Sequence, residues 1–203
     1  MSSLLIKNIQ TLVSCDGDDH VYSNVNLYCE NGIFRSIGAD APSADLVIDG
    51  SHMICYPGLV NTHHHLYQVF SRNLPQVQNM ELFDWLKTLY EVWKMLNEDT
   101  IRLSSLTGMG ELMKTVFDHP YVFPNEAGNL IEAQWEAARE LGIRMHFSRG
   151  SMDRSKKDGG LPPDSVVQPV DAILNDSIRI IEKYHDTSFQ SMKRVALAPC
   201  SPF

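Results

Sequence analysis

The sequence predicts an α/β protein, with a small β region followed by parallel βα units. Three observations predict it. Up to about residue 56 the chain reads as short apolar or alternating runs broken by turn residues. From Pro57 onward, strand-like runs alternate with stretches whose apolar residues recur at three and four positions, the pattern of strands feeding helices. The change falls at Pro57-Gly58, where an apolar run leads into His63-His64-His65. Two domains are therefore expected: a sandwich-like β domain over 1–56 and a βα domain over 57–203.

In the first domain, strands are expected at 4–6, 25–29, 33–37 and 46–49, separated by Asp16-Gly17-Asp18-Asp19, Asn31-Gly32 and Asp49-Gly50. Asn31-Gly32 is the clearest hairpin signal, because a two-residue primed turn needs both residues at positive φ. In the second domain, strands are expected near 59–62, 115–119, 143–148 and 194–198. Leu82, Phe83, Leu86, Leu89, Tyr90 and Trp93 predict a helix over 80–96. A second helix starts with Glu98 and Asp99, where the helix dipole favours acids, and runs to about Lys114. A third covers 126–141 and is stopped by Gly142. A fourth carries Val170, Ile173, Leu174, Ile178, Ile181 and Tyr184. The stretch 149–165, with Gly159-Gly160 and Pro162-Pro163, is long enough to act as a lid or binding loop.

The composition is that of a soluble globular protein, 43% hydrophobic and 21% charged. A net charge of −8 and no basic run argue against nucleic acid as a partner. No apolar stretch approaches 18 residues and no basic segment precedes an apolar core at the N-terminus, so neither a membrane span nor a secretory signal is expected. Cys15, Cys29, Cys55 and Cys200 show no metal spacing and read as reduced thiols of a cytoplasmic protein.

The chemistry is concentrated at His63 and His65. On an extended strand, residues two apart share a face, so both imidazoles can reach one point while His64 faces away. Neutral imidazole is the commonest metal ligand, and strand ends are where barrel enzymes hold their active sites. The plain alternative is a polar strand end with solvated histidines. Two imidazoles also fall short of the three protein ligands of a catalytic zinc. Trp85 and Trp93 lie on the apolar stripe of their helix, which makes them core residues or a wall for a flat substrate. Arg149 closes the third strand, where a guanidinium serves a substrate or a structural ion pair equally well. The cytidine-deaminase pattern, the G-x-S-x-G elbow and the phosphate loop are absent.

The run Pro57-Gly58-Leu59-Val60-Asn61-Thr62-His63-His64-His65-Leu66-Tyr67-Gln68 resembles the first barrel strand of the metal-dependent amidohydrolase superfamily. The stretches at 81–86, 118–124, 148–152, 160–168 and 196–203 are similar to its 8-oxoguanine deaminase-like branch, beside isoxanthopterin, guanine and triazine hydrolases. The resemblance implies the N-terminal part of a TIM (β/α)8 barrel, flanked by a small β domain, and a barrel incomplete in this chain. A full barrel takes eight strands and ~250 residues, and 146 residues follow Pro57.

It also implies hydrolytic deamination of an amino-substituted aromatic heterocycle, an 8-oxoguanine-like purine or a pterin, by a metal-activated water. His63 and His65 would hold one divalent metal, zinc or iron, and Gln68 would contact the ring. The family's remaining ligands and its general acid/base belong to later strands, so no catalytic residue is expected within this chain. Glu182 and His185 fall on a helix and do not match them, and His119 reads as a loop or supporting residue. A homo-oligomer is implied for the parent. The alternatives are a triazine hydrolase losing chloride or an amine, and a non-catalytic fragment or a subunit completed by another chain. Lys114-Thr115 meets Val116 directly where branch members carry about four more residues, which would shorten the second barrel strand.

Overall fold

A computed structural model of the chain describes residues 2–115 and 130–199, which fall into two compact units, Met1–Gly58 and Leu59–Phe203. The first unit is a single mixed sheet. Strands β1 (Ser3–Val13), β2 (Val21–Glu30), β3 (Ile33–Gly38) and β4 (Leu46–Asp49) lie in the order β3-β2-β1-β4, and the short β5 (Ile54–Cys55) also pairs with β1. The β2–β3 hairpin turns on Asn31 and Gly32, at φ 52° and 76°, the primed geometry that the Asn-Gly pair predicts. β1 is longer than expected because it runs through a bulge between Ile6 and Ile9, with Asn8 at φ 58°. The Asn26 side chain accepts from the Asn8 N–H at 2.9 Å and so caps that bulge. Ile9, Leu12 and Leu27 form the small core of the sheet.

The second unit carries the helices α1 (Leu82–Trp93), α2 (Glu98–Thr115), α3 (Leu130–Leu141) and α4 (Val170–Tyr184) and the strands β6 (Met145–Ser151) and β7 (Lys193–Pro199). β6 and β7 are parallel, in register from Met145 opposite Lys193 to Ser151 opposite Pro199, as strands joined through a crossover helix must be. Phe147 and Val195 lie opposite each other and are buried; the Phe147 ring meets Trp135 of α3 edge-on at 5.6 Å. Gly142, at φ 69°, ends α3, and Ile143 N–H returns to the Ala138 carbonyl at 3.1 Å.

One expected strand differs. Residues 56–65 form no strand and run as an extended segment without a ladder. Thr115 ends α2; the rest of that second strand, Asp118, His119, the Thr115-Val116 junction, the start of the third helix and Cys200 onward lie outside the described residues. Among the described residues no helix is long and apolar enough to cross a membrane.

The segment between β6 and α4 is folded on itself. Gln168 N–H donates to the Met152 carbonyl at 2.9 Å and so closes its ends. Ser155 and Asp158 cap a short turn reciprocally, and Lys156 pairs with Glu91 of α1 at 2.9 Å.

Candidate active site

The site begins where the apolar run leaves Pro57-Gly58. Asn61 accepts the His63 N–H on its side chain at 2.9 Å, bending the chain into the histidines. The Nε2 atoms of His63 and His65 stand 3.1 Å apart, with the rings edge-on at 88°. His64 goes the other way: its Cε1 lies 3.7 Å from where a Cβ on Gly108 of α2 would sit. Burial, reinforced by the positive charge that His63 and His64 can carry, pushes His65 down to about 4. Burial also lowers His64, helped by Arg72 and opposed by Glu111. A neutral imidazole is the form that ligates a metal.

A short helical turn over Leu66–Gln68 follows the pair at once. Gln68 N–H donates to the His65 carbonyl at 2.9 Å, so Gln68 is fixed relative to His65. The Gln68 side-chain amide donates to the Tyr67 hydroxyl at 3.0 Å. The Tyr67 ring is buried between His65 at 5.9 Å and Trp93 at 5.2 Å, both edge-on, and Trp93 donates its indole N–H to Ser71 Oγ at 3.1 Å. Tyr67 and Ser71 were not singled out by sequence reasoning, where the signal available was an aromatic residue directly before Gln68; Trp93 takes the core place that its helical stripe suggests. Trp85 is half-buried, meeting Trp93 edge-on at 5.5 Å at the margin of the core. Beneath the turn, Arg72 binds Glu111 of α2 through two bonds of 2.6 and 2.7 Å.

Arg149 sits elsewhere than the substrate reading expects. It shares the β6 face of Phe147, which packs against helix α3, and only 6% of it is exposed. Its guanidinium donates to Asp176 of α4 at 2.9 Å, to Gln168 at 2.8 Å and to the Gly150 carbonyl. That is the structural ion pair of the sequence alternatives, anchoring the folded loop to α4.

Nitrogens 3.1 Å apart fit a single ion whose metal–nitrogen bonds are ~2.1 Å, and two imidazoles suit zinc or iron. Among the described residues no group of three His, Cys, Asp or Glu side chains is placed to hold a metal ion. Residues 54–203 match the sequence model described as "Amidohydrolase family". The chain belongs to this family. It is 40% identical to the 8-oxoguanine deaminase of Pseudomonas aeruginosa, over all of this chain and 46% of that protein. It is 32% identical to the hydroxydechloroatrazine ethylaminohydrolase of Pseudomonas sp. (strain ADP), again over all of this chain and 46% of the relative. Among solved structures it resembles atrazine chlorohydrolase from Arthrobacter aurescens TC1 complexed with zinc, with a TM-score of 0.88 and 30% identity over 97% of this chain and 46% of that one. The chain thus spans about half the length of the relatives it matches. The shared fold of this amidohydrolase is the N-terminal part of a TIM barrel preceded by a small β unit.

Proposed function

We propose that the protein of which this chain forms part hydrolytically deaminates an amino-substituted aromatic heterocycle of the 8-oxoguanine or pterin class. The observation that carries the reading is the convergence of His63 and His65 Nε2 at 3.1 Å, with Gln68 tied to the His65 carbonyl by its own N–H. The identity to an 8-oxoguanine deaminase supports the substrate class. His63 and His65 are the proposed metal ligands, and zinc is the proposed ion, as in the related atrazine chlorohydrolase complex. When bound, such a cation supplies Lewis acidity that activates water for attack on the ring carbon bearing the amino group.

The residues of this chain do the rest of what this half contributes. His65 is kept neutral by burial, so its lone pair is available at neutral pH. Gln68 presents an amide, which both donates and accepts, to the polar edge of the ring, with Tyr67 fixing its side chain. Trp85 is proposed as an apolar wall for the ring face. The proton shuttle is proposed to lie in the family's later strands, and the intact enzyme to be a cytoplasmic homo-oligomer.

Triazine hydrolysis is the second reading, favoured by the resemblance to an atrazine chlorohydrolase. The test is ammonia release by the purified intact protein from 8-oxoguanine, isoxanthopterin and guanine, beside chloride or amine release from triazines. Turnover of a purine or pterin in preference to the triazines is expected. Turnover of triazines alone replaces the first reading with the second, and no turnover of any substrate with zinc present refutes both.

A further inference from the structure

We infer that Gly108 is a positioning residue for the His63/His65 pair: the missing Cβ on α2 sets how deeply the turn after the pair seats. The inference rests on the metal reading above. A Cβ at 108 would stand 2.7 Å from Leu66 Cδ2, 3.0 Å from Val69 Cγ2 and 3.7 Å from His64 Cε1. Ordinary contact begins at 3.4 Å, so Leu66 alone would have to retreat by about 0.7 Å. Leu66 is wholly buried and Val69 nearly so, so the Leu66 methyl can retreat only by displacing the close-packed neighbours around it or by carrying the turn with it.

The residues that meet this glycine interleave with the functional ones. His64, Leu66 and Val69 face α2, whereas His63 and His65 turn their Nε2 atoms toward each other. The turn moves as one piece. Gln68 N–H is bonded to the His65 carbonyl, Val69 N–H to the Leu66 carbonyl at 3.2 Å, and Ser71 Oγ to the Gln68 carbonyl at 3.0 Å. A push on Leu66 is therefore passed to His65 and Gln68, and metal–ligand distances tolerate only ~0.2 Å. Helix propensity gives no reason for glycine here, since mid-helix it is disfavoured against alanine. Gly110, on the same helix, has nothing within 4 Å of its notional Cβ and is the matched control.

The test uses the intact protein stripped of metal and titrated with Co2+, whose absorption bands report ligand geometry. Gly108→Ala is expected to weaken Co2+ binding by about 10–100-fold, the scale of a lost ligand support, and to alter the bands. Gly110→Ala should do neither. Gly108→Ala combined with Leu66→Val, which returns the space, should restore both. Wild-type affinity and bands in Gly108→Ala overturn the inference. If Gly108→Ala does not fold, the double variant decides: recovered binding supports the inference, and a folded double variant binding as poorly as His65→Ala overturns it. A wild type whose Co2+ binding is unchanged by His65→Ala refutes the metal reading, and the inference falls with it. Co2+ binding lost in His65→Ala but intact in Gly108→Ala refutes the inference alone.

Discussion

Replacing Arg149 by methionine separates a structural role from a substrate role. Methionine keeps much of the volume and removes the charge. The guanidinium is 6% exposed and makes charged bonds to Asp176, Gln168 and the Gly150 carbonyl. Removing one partner of a buried pair typically costs about 3–5 kcal/mol. The loss here falls at the lower end, because Arg179 still holds Asp176 through bonds of 3.0 and 2.8 Å. With about 3 kcal/mol lost, the melting temperature of a unit of this size drops by roughly 6–12 °C. The loop it anchors should also open. Arg154, Lys156 and Lys157 lie within that loop, so limited trypsinolysis should cut it faster in the variant. A variant that melts with the wild type, resists trypsin equally and raises KM would refute the structural reading and return Arg149 to the substrate.

Other consequences are equally direct. Gln68→Ala should lower kcat/KM on the preferred heterocycle by roughly 10-fold, the value of one oriented hydrogen bond, with little change in metal content; unchanged kinetics on every substrate exclude the contact. His65→Ala should abolish both bound zinc, read by elemental analysis, and ammonia release. At Glu132, burial acts to raise the carboxyl, but bonds from Lys183, Arg179 and Tyr184 outweigh it and hold the group at about 2. A carboxylate lowered in the folded state contributes stability above its ordinary value of 4.5, and that stability is lost as pH falls toward 2. Denaturant titration should show about 1–3 kcal/mol less acid sensitivity over that window in Glu132→Gln, and parallel pH curves would exclude it. Expressed alone, the 203-residue chain should release no ammonia, since two imidazoles do not fix a catalytic ion.

Local signals carried the legible part of the fold. Asn31-Gly32 dictated a primed hairpin because few other pairs accept positive φ twice; 3.6-residue stripes placed α1, α3 and α4, and the acidic start at Glu98 and Asp99 placed α2. The two-residue period brought His63 and His65 together even though their segment forms no ladder. Long-range facts were hidden. Nothing in Arg149 announces that Asp176, 27 residues on and across a folded loop, will face it. β5 escaped notice because it pairs with β1 through only Ile54 and Cys55. The strand expected at 4–6 continues to Val13, and the bulge at Asn8 hides that continuation because it breaks the alternation that marks a strand. Gly108 and Gly110 look alike in sequence, and only packing tells them apart.

The loop between β6 and α4 is held in two unlike ways. Its root is bound by the sheltered Arg149, and its tip by Lys156 reaching Glu91 through an ion pair whose two side chains are about half exposed. Exposed pairs weaken as salt accumulates, and sheltered ones hardly respond. Raising ionic strength should therefore free the tip while the base stays shut. The backbone amides of Lys156 and Gly160, bonded to the Pro162 and Ser155 carbonyls, should then exchange with solvent long before that of Gln168. The segment should then behave as a flap hinged on a buried charge, with a catch that the surrounding medium can release.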